Sequence, residues 1–95
     1  MASKEIKNGQ KIFVGIGLPL SGAILAKHTH APDITLVTEG GFVGVNPIGA
    51  MATITDPAGS VDCVQFTGTW QVLSDLQRGY FDLGLIGGAQ VDKYG

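Results

Sequence analysis

Few side chains in this sequence are placed to do chemistry, and the one with an unusual setting is Glu39. It ends a run of apolar and β-branched residues, Ile34-Thr35-Leu36-Val37-Thr38, and is followed at once by Gly40-Gly41. Such a run closed by glycines reads as a buried strand. Carboxylates are seldom buried without a partner. An acid at a strand tip is therefore either a solvated loop residue or a group facing a ligand's approach. A carboxylate can attack an activated acyl group as a covalent nucleophile. The oxyanion then formed needs preorganised N–H donors, each worth ~3 kcal/mol. Glycines let the backbone supply them at close range, because no Cβ intervenes.

The other candidates are weaker. Gly15-Ile16-Gly17-Leu18-Pro19-Leu20 begins like a dinucleotide-binding turn, and an acid ends the next strand. The third glycine is missing, however, and with it the close helix–strand contact that motif requires. No Gly-Lys-Ser/Thr follows any glycine, which excludes a Walker A loop. His28 and His30 are two residues apart, so on a helix they diverge, and no carboxylate or thiol stands at metal-ligand spacing. Near a helix end they are better placed to complement its dipole. No metal site is expected. Asp56, Asp62, Asp75 and Asp82 read as turn, surface or cap residues, and no serine sits in a nucleophile elbow. Cys63 is the sole cysteine, which rules out an intrachain disulfide. It is expected as a small buried hydrophobe, with no basic neighbour to activate it.

The elements that must position Glu39 alternate between strand and helix. Met1 to Gln10 is a polar lead-in, with a turn at Asn8-Gly9. Lys11 to Ile16 reads as a strand covered on both faces. A helix from Leu20 to His30 carries Leu20, Ala23, Ile24 and Ala26 as its stripe, with Pro19 or Ser21 near its start. Ala31-Pro32-Asp33 ends it, and the strand leading to Glu39 follows. This is a βαβ unit of a parallel sheet. Ligands gather at the carboxyl ends of such strands, so Gly15 to Pro19 and Glu39 to Gly41 should share one crevice. Asn46 to Gly59 is an irregular excursion, with a short strand expected near Met51 to Ile54. Thr69 is a candidate N-cap for a helix from Trp70 to Gly79, with Trp70, Leu73, Leu76 and Tyr80 as its buried face. Asp82 to Ile86 reads as another buried strand. It delivers a third glycine turn, Gly87-Gly88-Ala89-Gln90, to the same rim.

Composition bounds the partners. The chain has 95 residues, enough for one small domain. Its 44% hydrophobic and 15% charged residues give ample core and a thin polar coat, which implies a covered partner surface or a piece of something larger. A net charge of -2 offers no electrostatic case for nucleic acid or anionic membrane. No apolar stretch approaches the ~20 residues that span a bilayer, and the polar start lacks a signal peptide's apolar segment. A cytoplasmic location is the expectation. The sequence stops at Lys93-Tyr94-Gly95, within what reads as a turn.

Four segments together resemble a known family. They are Gly15-Ile16-Gly17-Leu18-Pro19, Ala31-Pro32-Asp33, Glu39-Gly40-Gly41 and the long Gly87-Gly88-Ala89-Gln90-Val91-Asp92-Lys93-Tyr94-Gly95. They occur in the order found in β subunits of CoA-transferases of the glutaconate and 3-oxoacid type. The likeness runs from Lys11 onward and covers an amino-terminal portion of such a subunit. It implies an open α/β fold, with a mainly parallel sheet and flanking helices, here truncated. It implies that Glu39 is a nucleophile and passes through a glutamyl-CoA thioester. Gly87 would supply an oxyanion-hole N–H, and Gly15, Gly17, Gly40, Gly41, Gly88 and Gln90 would line the CoA or substrate pocket. Coenzyme A would enter as acyl-CoA substrate, with no tightly bound cofactor. The family often carries Glu-Ser-Gly or Glu-Asn-Gly where this chain has Glu39-Gly40-Gly41. Its β subunits are longer and work against an α-type subunit, so the implied partner is an α-type subunit or a second copy. Three further readings remain open: an acyl-CoA hydrolase on the same fold, a non-catalytic CoA- or nucleotide-binding domain, and a self-associating domain.

Overall fold

Ile12, Phe13 and Val14 set the architecture, because all three are buried although neighbours on a strand point to opposite faces. Both faces of the strand must therefore be covered. The computed structural model, which describes residues 1–47, 51 and 53–95, shows this arrangement. Strand β1 (Lys11–Val14) sends Ile12 and Val14 into a core on one face and Phe13 into a second core on the other.

Chain order then builds outward from β1. The lead-in contains a short helix, α1 (Ala2–Glu5), that the sequence pattern does not announce. Helix α2 (Leu18–His28) brings Leu20, Ala23, Ile24 and Ala26 onto the Ile12 face, the expected stripe. It starts at Leu18 and not Leu20, since Gly17 at φ +87° makes the turn and Pro19 fits a first-turn position that needs no N–H. For the same reason β1 stops at Val14, short of the expected Ile16. The α2 exit is tied by side chains. Lys27 Nζ donates to the Ile34 carbonyl at 2.8 Å, and Thr29 Oγ1 to that of Leu25 at 2.7 Å. Partial burial lowers the Lys27 pKa, with Asp33 acting in the opposite sense. His28 and His30 donate through Nε2 to the Pro47 and Ile6 carbonyls, at 2.9 and 3.1 Å, and so tether loops.

Strand β2 (Thr35–Thr38) pairs in parallel with β1, Lys11 opposite Thr35 through Val14 opposite Thr38. A hairpin that the sequence pattern does not reveal follows, formed by β3 (Phe42–Val43) and then β4 (Gln65–Phe66), both antiparallel. Between these two, Met51, Thr53 and Ile54 lie outside any strand, contrary to expectation, and Ala52 lies outside the described residues. A 3-10 turn, Pro57–Ser60, is capped by Asp56, whose carboxylate accepts from the Ala58 N–H at 2.9 Å. Cys63 is half-buried and not enclosed in a core.

Helix α3 (Thr69–Gln77) crosses the second face. Its N-cap is Gly68, not Thr69, since the Gln71 and Val72 N–H groups bond to the Gly68 carbonyl. Its buried contact is Val72 with Leu76, against Phe13 and Val37. The buried face is rotated from the expected stripe: Trp70 is 73% exposed, and Leu73 and Tyr80 are exposed too. Strand β5 (Leu83–Leu85) then pairs in parallel with the free edge of β1. Its apolar run suggests a buried strand, but it is the outer strand of the sheet and only partly covered. Asp82 anchors it, accepting from the Lys11 N–H at 2.8 Å.

The strand order is β4-β3-β2-β1-β5. The result is an open α/β sheet with a parallel centre, an antiparallel margin and a helix on each face. Leu36, wholly buried on the α2 face, should lose about 2–5 kcal/mol on replacement by alanine. Trp70→Ala should change the stability of the isolated chain by no more than about 0.5 kcal/mol. Urea denaturation compares the two; equal losses would mean that α3 does not pack as described.

Candidate active site

Glu39 stands at the first corner of the β2–β3 turn. The Gly41 N–H donates to the Thr38 carbonyl at 3.0 Å and closes a hairpin loop of Glu39, Gly40 and Gly41. Gly41 has φ +102°, the positive-φ residue that loops of this length require. Just beyond, the Gly44 and Val45 N–H groups both donate to the Leu36 carbonyl, at 2.8 and 3.0 Å. This is a β-bulge, with Gly44 at φ +70°.

The loop is gripped from both sides. A Cβ at Gly40 would lie 2.5 Å from the Ile54 carbonyl oxygen and 2.9 Å from Thr55 Cγ2. A Cβ at Gly41 would overlap the Thr67 carbonyl oxygen, and the Thr67 N–H donates to the Gly41 carbonyl at 2.9 Å. Close backbone packing alone thus accounts for glycine at 40 and 41. Glu39 itself is half-buried, and its carboxylate has no hydrogen bond or ion pair among the described residues.

Register relates the three strand ends. Val14 is level with Thr38 on one side and Leu85 on the other, so Gly15 comes level with Glu39 and Ile86. The ends of β2 and β5 are two strand spacings apart, about 10 Å, with Gly15 between them. Gly15 extends the ladder, its N–H donating to the Leu85 carbonyl at 2.9 Å. Because the chain leaves β1 toward β2 while β5 lies on its other edge, a crevice opens at the carboxyl ends of β1 and β5.

That crevice is a cleft of about 420 Å³ lined by Ala2, Leu18, Pro19, Gly84, Leu85, Ile86 and Gly87. Gly87 therefore reaches it, whereas Glu39, Gly15, Gly17, Gly40, Gly41, Gly88 and Gln90 are not in its lining. Gly88 and Gln90 are exposed on the segment after β5. Here the glycines differ in kind from Gly40 and Gly41. A Cβ at Gly87 would meet nothing within 4 Å, its φ is not positive, and its N–H has no hydrogen bond among the described residues. Leu18 and Pro19 bring the end of the Gly15 to Pro19 turn to the cleft, as expected, although sequence reasoning singled out its glycines. Ile86 it missed, and Leu18 and Ile86 are 87% and 75% exposed. The one signal for Ile86 was an apolar side chain beside a glycine turn. Among the described residues no cluster of His, Cys, Asp or Glu could hold a metal ion, and no helix is long and apolar enough to cross a membrane.

The profile of the family described as coenzyme A transferase matches residues 1–95. The chain belongs to this family. It is 41% identical to one subunit of the 3-oxoadipate CoA-transferase of Pseudomonas knackmussii, over 99% of this chain and 36% of that one. Against one subunit of the glutaconate CoA-transferase of Acidaminococcus fermentans it is 36% identical, over 98% of this chain and 37% of the relative. It therefore spans little more than a third of the length of these two CoA-transferase subunits. The crystal structure of the Acidaminococcus glutaconate enzyme superposes with a TM-score of 0.83 at 33% identity, covering 99% of this chain and 38% of that one. The decarboxylase AibA/AibB superposes with a TM-score of 0.80 at 22% identity, over 96% of this chain and 39% of that one, a likeness of fold alone.

The two kinds of glycine should separate on substitution. Gly41→Ala should cost at least about 2 kcal/mol, because it combines a positive φ with a backbone overlap. Gly87→Ala should cost less than about 0.5 kcal/mol. Chemical denaturation of both variants checks this, and comparable losses would remove the distinction.

Proposed function

We propose that this chain is a portion of a CoA-transferase β-type subunit. In this reading Glu39 is the nucleophile and the Gly87 N–H is an oxyanion donor. The observation that carries it is the glycine at 87: it lies at the sheet's switch point, level with the Glu39 turn, and no packing or backbone demand within the chain explains it. In such a site the Glu39 carboxylate attacks the thioester carbonyl carbon of an acyl-CoA. The tetrahedral oxyanion collapses to a mixed anhydride and releases CoA thiolate. The thiolate attacks the glutamyl carbonyl, which yields the glutamyl-CoA thioester and the free acid. An acceptor carboxylate then reverses the sequence and leaves as a new acyl-CoA. Each step develops charge on a carbonyl oxygen, where one N–H donor contributes about 3 kcal/mol. Gly15, Gly17, Gly40, Gly41, Gly88 and Gln90 would shape the surroundings, and coenzyme A would be a substrate without a tightly bound cofactor.

Catalysis in this reading needs an α-type subunit. Supporting this are the outer edge of β5, unpaired among the described residues, and the exposed apolar residues Leu18 and Ile86 in the cleft. An open sheet edge of this kind is a template for pairing. The isolated chain should therefore self-associate, and light scattering coupled to size exclusion would overturn this by finding a clean monomer at moderate concentration.

The chemistry is tested by incubating the chain with an acyl-CoA and an α-type subunit, then trapping with borohydride or hydroxylamine and mapping by mass spectrometry. Modification at Glu39 is expected, lost in Glu39→Ala and Glu39→Gln. An unmodified Glu39 in a chain that still binds CoA would instead indicate a non-catalytic binding domain. Turnover without an acceptor carboxylate would indicate a hydrolase.

A further inference from the structure

We propose that Thr38 is a positioning residue for Glu39, acting through the carbonyl group of Ile54. The inference rests on the reading of Glu39 as nucleophile and adds a residue to it. Thr38 is the one buried polar side chain among the described residues, wholly shielded from solvent. Its strand position would suit valine equally well, which has the same shape and no hydroxyl to satisfy. The hydroxyl has a specific use: Oγ1 donates to the Ile54 carbonyl at 3.1 Å.

That same carbonyl oxygen is the atom on which the Cα of Gly40 closes, near enough that a Cβ would lie 2.5 Å away. One oxygen therefore touches the residues on either side of Glu39. The Glu39 carboxylate has no partner of its own among the described residues, so its backbone alone places it. Thr38 and Gly40 set that backbone, and the loop of Ile54 and Thr55 holds both. Loss of the hydroxyl leaves the Ile54 carbonyl without its donor in a part-buried contact. The 54–55 loop then moves, and the Glu39 turn moves with it.

The test uses the chain assembled with an α-type subunit, alongside the chain alone. In Thr38→Val, kcat should fall by about 10- to 100-fold, with KM for acyl-CoA within about threefold of wild type, as expected for a misplaced reacting group. Thr38→Ser, which keeps the hydroxyl, should restore kcat to within about threefold. In the chain alone, hydrogen exchange at the Gly41 amide should quicken in Thr38→Val and not in Thr38→Ser, while the amides of β1 stay protected. Gly40→Ala presses on the same carbonyl from the other side and should lower kcat similarly, which keeps the proposal testable if Thr38→Val does not fold. Wild-type kcat in Thr38→Val, or equal damage from valine and serine, overturns the role of Thr38 provided that Glu39→Gln is inactive. Full turnover in Glu39→Gln instead overturns the nucleophile, and the positioning role with it.

Discussion

Pairing of β1 along both of its edges is the constraint from which the rest follows. A strand flanked in parallel by β2 and β5 cannot reach them by tight turns, so the chain must cross over each face, and α2 and α3 are those crossings. The two crossings make both faces of β1 apolar, which is why Ile12, Phe13 and Val14 are consecutive and all buried. They also bring the carboxyl ends of β1, β2 and β5 to one rim. The site is thus a product of topology before it is a product of side chains.

Glycines do two separate jobs on that rim. Gly40 and Gly41 are present because Ile54, Thr55 and Thr67 leave no room for anything larger. Gly87 is present where there is ample room. A glycine-rich sequence presents both identically, and only the neighbours tell a packing requirement from an open approach. No side chain has space at position 40 while the 54–55 loop holds its place.

What was legible in the sequence followed from local pattern. The β1–α2–β2 unit could be read because its apolar runs, its stripe and its Pro and Gly breaks all agree with the tertiary structure. The α3 stripe was misread because Leu76 belongs equally to a face made with Val72 and to one made with Leu73. The sheet, which meets α3 with Phe13 and Val37, selects the first. β3 and β4 went unseen because strands of two residues carry no periodicity; their pairing depends on partners distant in the chain. Glu39 stood out by its type and place, but the grip on its loop is made of contacts that no local window contains.

That grip has a kinetic side. The hydroxyl of Thr38 meets a carbonyl sixteen residues further on, and Gly41 pairs with Thr67 beyond the whole excursion. Contacts that close long loops form slowly, because chain entropy is lost before they contribute stability. The βαβ unit can assemble from neighbouring segments, whereas the Glu39 turn takes its final shape only after the excursion has folded back. The carboxylate is therefore among the last groups to reach its place, and a chain caught early in folding carries the acid without the contacts that hold its turn.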